Sequence, residues 1–165
     1  MNTLEIQGST GKSTLLLGEN LKNLETHLPP SKRVIITDGN VRRLYGDLFP
    51  ESRIIEIGMG EGIKTLETAQ DIFQKLVDYE ADRNIFIVGI GGGIVCDMTG
   101  FVASTYLRGV RFGFVATTLL AQVDASVGGK NGVNFSGFKN MVGVFNQPQF
   151  VICDPRVLRT LSERD

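Results

Sequence analysis

Three consecutive glycines, Gly91, Gly92 and Gly93, connect a strand-like apolar run to a helix-like run, and this pattern suits the binding of a nucleotide diphosphate. Glycine has no side chain to keep a phosphate away from the backbone. The first N–H groups of the following helix have no partner within the helix and carry the positive end of its dipole. Because the triplet lacks the G-x-G-x-x-G spacing of the ordinary dinucleotide motif, a simple tight turn stays open as the alternative.

A second glycine-containing segment, residues 8–13, looks like the phosphate loop of nucleoside triphosphatases but has the wrong spacing. That loop needs a glycine five residues before Gly11, where this chain has Ile6. It also needs a helix after Ser13, where residues 14–17 have an extended, apolar pattern. We therefore predict a plain hairpin turn at this segment.

Polar residues follow other predicted strands at positions from which they can contact a nucleotide. Asp38 and Asn40 come directly after a buried apolar run, where they can bond ribose hydroxyls or form a turn through bonds to the backbone. Asp97 follows the last glycine by four residues, near a helix start, where the dipole favours a carboxylate and helix capping is the alternative. Thr117 and Thr118 either contact the same ligand or cap the short helix that follows them.

Four further polar residues are candidate substrate contacts: Asp124 and Lys130, on either side of a glycine pair, and Lys139 and Asn140, shortly after Gly137. Each lysine ammonium offers a positive charge and three hydrogen-bond donors. Two such groups suit a ligand with two negative charges. The alternative is that both are solvated loop lysines.

These motifs together resemble the dehydroquinate synthase family. The likeness rests on the glycine triplet, on residues 115–130 and on residues 137–140, which occur in the family's order, and it extends from about Asp38 to the end of the chain. Glu61 and Lys64 also match the family's E-x-x-K pattern, with a surface ion pair at a helix start as the alternative. The chain departs from the usual family residues at four positions, where Gly, Pro, Thr and Asp are replaced by Cys96, Ala116, Asn131 and Met59.

The resemblance implies a role for each matching residue. It assigns contacts with NAD to Asp38, Asn40, Glu61, Lys64, Gly91, Gly92, Gly93, Asp97, Thr117, Thr118, Lys139 and Thr160. It assigns substrate and catalytic contacts to Lys130, Asn140, Asp124 and Arg108. In the family the arginine that matches Arg108 reaches phosphate, and a neighbouring subunit's site is one place for that contact. The family's metal ligands, one Glu and two His, belong to a helical C-terminal domain, so none is expected in this chain.

By resemblance, the intact enzyme converts 3-deoxy-arabino-heptulosonate 7-phosphate to 3-dehydroquinate in the shikimate pathway. Its cofactors are NAD and a divalent metal, Zn or Co, and it is expected to be a homodimer. Residues 1–165 are then the NAD-binding N-terminal domain, inactive without the metal domain. Three alternatives stay open: another sugar-phosphate cyclase, an NAD-dependent polyol dehydrogenase, and a non-catalytic NAD-binding module. Lys139 and Asn140 favour 3-dehydroquinate formation over the reaction of another cyclase.

Composition limits the remaining possibilities. A chain of 165 residues with 42% apolar content suits one domain with its own core. Its 17 Lys and Arg against 18 Asp and Glu provide no basic field for nucleic acid or an anionic membrane, so small ligands are expected. The isolated Cys96 and Cys153 are expected to fill the core, and the lack of an apolar leader favours the cytoplasm. His27, the only histidine, is expected to be solvated in a loop.

Alternating strand and helix patterns predict the scaffold that positions these residues. Strands are predicted over residues 13–17, 33–37, 53–57, 85–90, 110–116 and 150–154. Helices are predicted over residues 19–28, 41–48, 64–79, 94–106 and, less regularly, 156–165. Within the third of these, the apolar stripe consists of Leu66, Ala69, Phe73, Leu76 and Val77. The alternation predicts a Rossmann-like α/β fold, a parallel sheet with helices on both faces and ligands at the carboxyl ends of the strands.

Overall fold

Apolar runs rich in valine, isoleucine and phenylalanine form the strands of a sheet that is covered on both faces. In a computed structural model, which describes residues 1–8 and 10–161, the strands are β1 (Asn2–Gly8), β2 (Gly11–Leu17), β3 (Arg33–Asp38), β4 (Arg53–Ile57), β5 (Phe86–Gly91), β6 (Arg111–Ala116), β7 (Lys130–Phe135), β8 (Phe138–Phe145) and β9 (Phe150–Cys153). One sheet has the order β1-β2-β9-β6-β5-β3-β4, and β7 and β8 pair separately. Neighbours in the large sheet are parallel, except that β1 and β2 form an antiparallel hairpin. The predicted parallel sheet and the predicted hairpin turn are therefore confirmed.

Helices and shorter helical segments cover both faces of this sheet. The α-helices are α1 (Gly39–Tyr45), α2 (Leu66–Asp78) and α3 (Gly93–Thr105). Segments of 3-10 helix occupy Leu21–His27, Gly46–Leu48, Glu61–Ile63, Tyr106–Arg108 and Pro155–Thr160, and a π-helical turn occupies Ala121–Ala125. Helices α2 and α3 pack on one face, and α1 with the first and last 3-10 segments packs on the other. In the part of the chain that the structure describes, no helix combines the length and apolar character needed to cross a bilayer.

The strands bury side chains on both faces, which divides the core into two layers. Val34 and Ile36 of β3 pack towards α2 and α3, whereas Ile35 between them packs towards α1. All three are fully buried, as the two-residue period of a strand requires when both faces are covered. Access for ligands is therefore left to the ends of the strands and to the loops that follow them.

The segment predicted as a helix over residues 19–28 is a 3-10 helix over Leu21–His27 instead. A short 3-10 segment makes few backbone hydrogen bonds of its own. At its start, the side chain of Asn20 accepts a hydrogen bond from the N–H of Lys22. The prediction that His27 is solvated is wrong. Its Nε2 lies 3.0 Å from Oε2 of Glu19, and its side chain is only 22% exposed.

Helix α2 confirms the amphipathic helix predicted over residues 64–79, but its buried stripe differs by one position. Ile72 is 1% exposed and belongs to the stripe, whereas Val77 is 58% exposed and does not. The reason is geometric, since each residue turns the helix by about 100° and Val77 lies on the side of Leu76 that is away from Ile72, beyond the edge of the buried stripe. Valine on the outer face is therefore solvent-exposed in spite of its apolar side chain.

The last described segment is also a 3-10 helix, Pro155–Thr160, where a longer helix-like stretch over 156–165 was predicted. The Asp154 carboxylate caps it and also accepts the backbone N–H of Leu21 at 3.0 Å. This pair of bonds joins the end of β9 to the segment that follows β2. Residues 162–165 of the predicted stretch lie outside the described residues.

Sequence analysis assigns no strand to residues 130–145, which form the hairpin of β7 and β8. The hairpin lies against α3 at Gly100, where an added Cβ would be 1.7 Å from Oδ1 of Asn131. The side-chain amide of Asn131 is itself fixed, because it donates to the carbonyl of Gly129 at 2.8 Å and to that of Asn146 at 2.9 Å. The docking of the hairpin therefore depends on the missing side chain at Gly100.

We predict that Gly100→Ala lowers the free energy of unfolding by about 1–3 kcal/mol, because the added methyl displaces Asn131 and its two hydrogen bonds. Urea unfolding followed by circular dichroism measures this change. Gly62→Ala is the matched control, since a Cβ there meets nothing within 4 Å among the described residues. Equal effects of the two substitutions would contradict the prediction.

Candidate functional site

A cleft opens where the connections from β3 and β5 part. The chain leaves β3 through α1 towards β4 on one side, and leaves β5 through α3 towards β6 on the other. Because α1 and α3 lie on opposite faces, the carboxyl ends of these two strands are left uncovered between them. The resulting cleft has a volume of about 1130 Å³.

The cleft brings together most of the residues that the sequence predicts. It is lined by Asp38, Asn40, Glu61, Lys64, Gly92, Gly93, Asp97, Thr117, Thr118, Asp124, Lys130, Lys139, Asn140 and Thr160. Two predicted residues do not line it. Gly91 ends β5, and its carbonyl accepts the N–H of Thr117 at 2.9 Å. Arg108 ends the 3-10 segment after α3, a helix of 13 residues that is about 20 Å long. It therefore lies at the other end of the parallel strands, shortly before β6 begins.

The glycine triplet has a different job at each position. A Cβ on Gly91 would lie 2.5 Å from Cβ of Val95, so this glycine allows α3 to start close to β5. Gly92 precedes α3, and no side chain caps the first turn of the helix. A Cβ on Gly92 would lie 3.0 Å from Cγ2 of Thr118, and one on Gly93 would lie 3.1 Å from Cβ of Ala125. Since neither glycine has a side chain of its own, the backbone at the helix start can approach a ligand in the cleft closely.

Two predicted binding residues also have the structural role that was their alternative. Oδ1 of Asp38 accepts the N–H of Val41 at 3.0 Å and caps α1. Oγ1 of Thr118 accepts the N–H of Ala121 at 3.2 Å and caps the helical segment after β6. Both residues still line the cleft. A carboxylate has about four acceptor positions and a hydroxyl keeps its donor, so capping leaves each of them able to bond a ligand.

A buried ammonium joins three walls of the cleft. Lys64 follows β4, its side chain is only 5% exposed, and its Nζ forms an ion pair with Oδ2 of Asp97 on α3. The same Nζ donates to Oδ1 of Asn140 on β8 at 2.5 Å. Burial raises the pKa of the Asp97 carboxyl, and the hydrogen bond and charge of Lys64 oppose that rise. The pair therefore places a charged donor and acceptor at the inner end of the cleft.

The other two lysines of the cleft are exposed. Nζ of Lys130 lies 2.6 Å from Oδ1 of Asp124, and both side chains are more than half exposed. Nζ of Lys139 lies 3.9 Å from Oε1 of Glu61, also in an exposed pair. Exposed ion pairs contribute little to stability, so these lysines are free to exchange their carboxylate partners for an anionic ligand.

The described residues do not provide the ligands of a catalytic metal. No group of three or more His, Cys, Asp or Glu side chains converges anywhere in residues 1–8 and 10–161. Both cysteines are buried, as predicted for core residues. Burial raises the pKa of Cys153 to about 11 and that of Cys96 further, so neither offers a thiolate at neutral pH.

Sequence analysis missed two residues that connect the walls of the site. Tyr45 lines the cleft, and its hydroxyl lies 2.9 Å from the carbonyl of Val157 and 2.7 Å from Oγ1 of Thr160. Asn134 donates through Nδ2 to Oε1 of Glu61 at 2.8 Å. Nothing in the sequence near Tyr45 points to its contact with Thr160. For Asn134 the signal was a Ser-Gly pair between two short apolar runs, which is typical of a hairpin.

Known proteins are similar to this chain in sequence and in fold. The family model described as "3-dehydroquinate synthase N-terminal" matches residues 54–165. The 3-dehydroquinate synthase of Enterococcus faecalis (strain ATCC 47077 / OG1RF) is 46% identical over 143 residues, which are 82% of this chain and 40% of that protein. The 3-dehydroquinate synthase of Pyrococcus abyssi (strain GE5 / Orsay) is 45% identical over 150 residues, which are 86% of this chain and 44% of that protein.

Among solved structures, 2-deoxy-scyllo-inosose synthase complexed with carbaglucose-6-phosphate, NAD+ and Co2+ superposes with a TM-score of 0.84 at 28% identity. The match covers 96% of this chain and 47% of that one. This chain therefore spans less than half the length of each of these relatives. The family model covers more than half of the described residues, and the identity to curated synthases is high over most of the chain. The chain belongs to the 3-dehydroquinate synthase family.

Proposed function

We propose that this chain is the NAD-binding part of an enzyme that converts 3-deoxy-arabino-heptulosonate 7-phosphate to 3-dehydroquinate with loss of phosphate. The observation that carries the proposal is the cleft itself, in which a glycine-bounded helix start and two exposed lysines face one volume. The 45–46% identity to curated 3-dehydroquinate synthases supports this reaction over others.

The cofactor side of the cleft is the helix start and the end of β3. The N–H groups that follow Gly92 would hold the diphosphate of NAD, because the helix dipole and the absence of side chains both favour a phosphate there. Asp38 would accept a ribose hydroxyl with the carboxylate oxygen that does not cap α1. When bound, NAD supplies a hydride acceptor that oxidises a ring alcohol and returns the hydride within the same turnover.

The substrate side is the hairpin and the segment before it. Lys130 and Lys139 would meet the carboxylate and phosphate of the substrate, because their present carboxylate partners are exposed and replaceable. For Lys139, the contact with NAD that the resemblance implies is the alternative. Lys64 and Asp97 would orient the groups between cofactor and substrate, since their mutual ion pair keeps both side chains fixed. Asn140 contacts that pair from the substrate side.

The remaining parts of the reaction belong to a longer enzyme. Residues 1–165 would form the NAD-binding domain, and a following helical domain would supply a Glu and two His for Zn or Co. The relatives, of which this chain spans 40–44%, support a second domain. The enzyme would be a cytoplasmic homodimer, in which the exposed Arg108 reaches the phosphate in the site of the neighbouring subunit.

Three other functions are distinguishable from the proposed one. Another sugar-phosphate cyclase would accept a different sugar phosphate, and the 28% identity to 2-deoxy-scyllo-inosose synthase, against 45–46% to the 3-dehydroquinate synthases, favours the proposed substrate. A polyol dehydrogenase would release reduced nicotinamide on turnover, which the proposed enzyme would not. A non-catalytic NAD-binding module would stay inactive even when joined to the downstream domain.

We predict that the 165-residue chain folds and binds NAD+ weakly, and that Gly92→Val abolishes binding because the valine side chain covers the helix start beside Thr118. Isothermal titration calorimetry measures both affinities. Gly62→Val serves as the control, since its Cβ position is open. Folded wild-type chain that releases no heat at millimolar NAD+ would remove the basis for the cofactor assignment.

In the intact enzyme, Lys130→Ala is expected to lower kcat/KM by a factor that corresponds to about 2–4 kcal/mol, with NAD+ affinity nearly unchanged. The ammonium is placed for an anionic substrate, so its loss removes charge and donors from the substrate side only. Lys12→Ala is a matched control, because Lys12 and Glu5 form a pair with the same exposures as Lys130 and Asp124. Equal loss of NAD+ affinity would reassign Lys130 to the cofactor.

The 165-residue chain alone is expected to release no phosphate from the heptulosonate phosphate and to bind no stoichiometric Zn²⁺ or Co²⁺. A catalytic metal site needs about three converging protein ligands, and the described residues provide no such group. Phosphate assays with NAD+ and metal, together with metal analysis after dialysis, test both expectations. Turnover by the purified chain, free of any longer enzyme, would contradict the proposed division of labour.

A further inference from the structure

Strand β8 bulges at the point where it faces Asn134. The neighbours of Asn134 in β7 pair with Val142 and Phe138, so Asn134 alone faces the three residues 139–141. A bulge of this kind bends a strand and re-aims its side chains. At its centre Asn140 has φ of 52°, in the left-handed region that asparagine adopts more often than most residues other than glycine. The bulge takes Asn140 out of the regular pairing with β7, so its backbone N–H takes its partner from outside the backbone ladder.

Asn134 supplies that partner and two further bonds. Its Oδ1 accepts the backbone N–H of Asn140 at 2.9 Å. Its Nδ2 donates to Oε1 of Glu61 at 2.8 Å, and its own backbone N–H donates to the carbonyl of Lys64 at 2.8 Å instead of to the facing strand. One residue thus uses its side chain and its backbone to join the loop after β4 to the bulge of β8.

The same two segments meet inside the cleft. Nζ of Lys64 donates to Oδ1 of Asn140, so the residue at the centre of the bulge is also the one whose side chain contacts the buried ammonium. Asn134 lies outside the cleft lining, on the far side of the bulge. It therefore contacts the proposed ligand-binding residues Glu61, Lys64 and Asn140 without being placed to contact the ligand.

We propose that Asn134 is a positioning residue for the substrate side of the cleft, which holds Asn140 in its left-handed conformation and fixes it relative to Glu61 and Lys64. The inference rests on the proposed function, since Asn140 is a substrate contact only under that proposal. A role in hairpin stability alone is the competing explanation. The two explanations differ in whether the effect of Asn134 passes through Asn140.

A double-mutant cycle in the intact enzyme separates them. Asn134→Ala is expected to lower kcat/KM for 3-deoxy-arabino-heptulosonate 7-phosphate by about tenfold or more, with a near-normal melting temperature. In the background of Asn140→Ala, the same change is expected to cost less than about twofold, because the side chain that Asn134 positions is already gone. Additive losses in the cycle, or unchanged kinetics of Asn134→Ala, would overturn the proposal.

A second variant and a matched control complete the test. Asn134→Asp keeps an acceptor for the N–H of Asn140, so a smaller loss of kcat/KM than in Asn134→Ala is expected, even though the new carboxylate lies beside Glu61. A larger loss counts against the proposal. If Asn134→Ala does not fold, the cycle is run with Asn134→Leu, which has a similar volume and no acceptor for the N–H of Asn140. Asn23→Ala removes an equal amide-to-carboxylate bond of 2.8 Å outside the cleft and is expected to leave kcat/KM unchanged.

Hydrogen exchange keeps this inference separate from the proposed reaction. The backbone amide of Asn140 is expected to exchange slowly in the wild type and at least about tenfold faster in Asn134→Ala. If the wild-type enzyme does not turn over the heptulosonate phosphate, the proposed reaction fails, and the exchange rate still decides whether Asn134 holds Asn140. Equal exchange in the two proteins would overturn the positioning role.

Discussion

The buried ammonium of Lys64 is the contact on which the cleft depends. It joins the loop after β4 to Asp97 on α3 and to Asn140 on β8, which are three elements from separate parts of the chain. Removing one partner of a buried ion pair typically costs about 3–5 kcal/mol, because a charge is then left in a dry environment without compensation. The three elements are therefore held in one arrangement, and the cleft between them has a defined shape before any ligand arrives.

The sequence predicted the sheet well because its signals are local. The runs around Ile35 and Val88 are apolar at consecutive positions, which is typical of strands buried on both faces, and both lie where predicted. The glycine triplet likewise occurs at a strand-to-helix connection, where its physical role can be read from residue type alone. Most of the predicted cleft residues follow from this, since the carboxyl ends of parallel strands share one edge.

What could not be predicted depends on contacts between distant residues. The docking of the β7–β8 hairpin is decided by the fit of Asn131 against Gly100, and neither residue reveals the other in the sequence. Val77 faces outward because the buried stripe of α2 runs through Ile72, and the apolar pattern alone did not distinguish these two positions. Such positions in space cannot be predicted from the residue types alone.

The position of β9 in the sheet has a consequence for the order of assembly during synthesis. β9 lies between β2 and β6, and Thr14 of β2 pairs with Phe150 of β9. The β1–β2 hairpin can form early from local contacts, yet it has no place in the sheet until the chain has been made as far as β9. Non-local pairing of this kind slows folding, because the closure of a long loop precedes the gain from contact. The β1–β2 hairpin, although made before the other strands of this sheet, is thus among the last parts of the sheet to be secured.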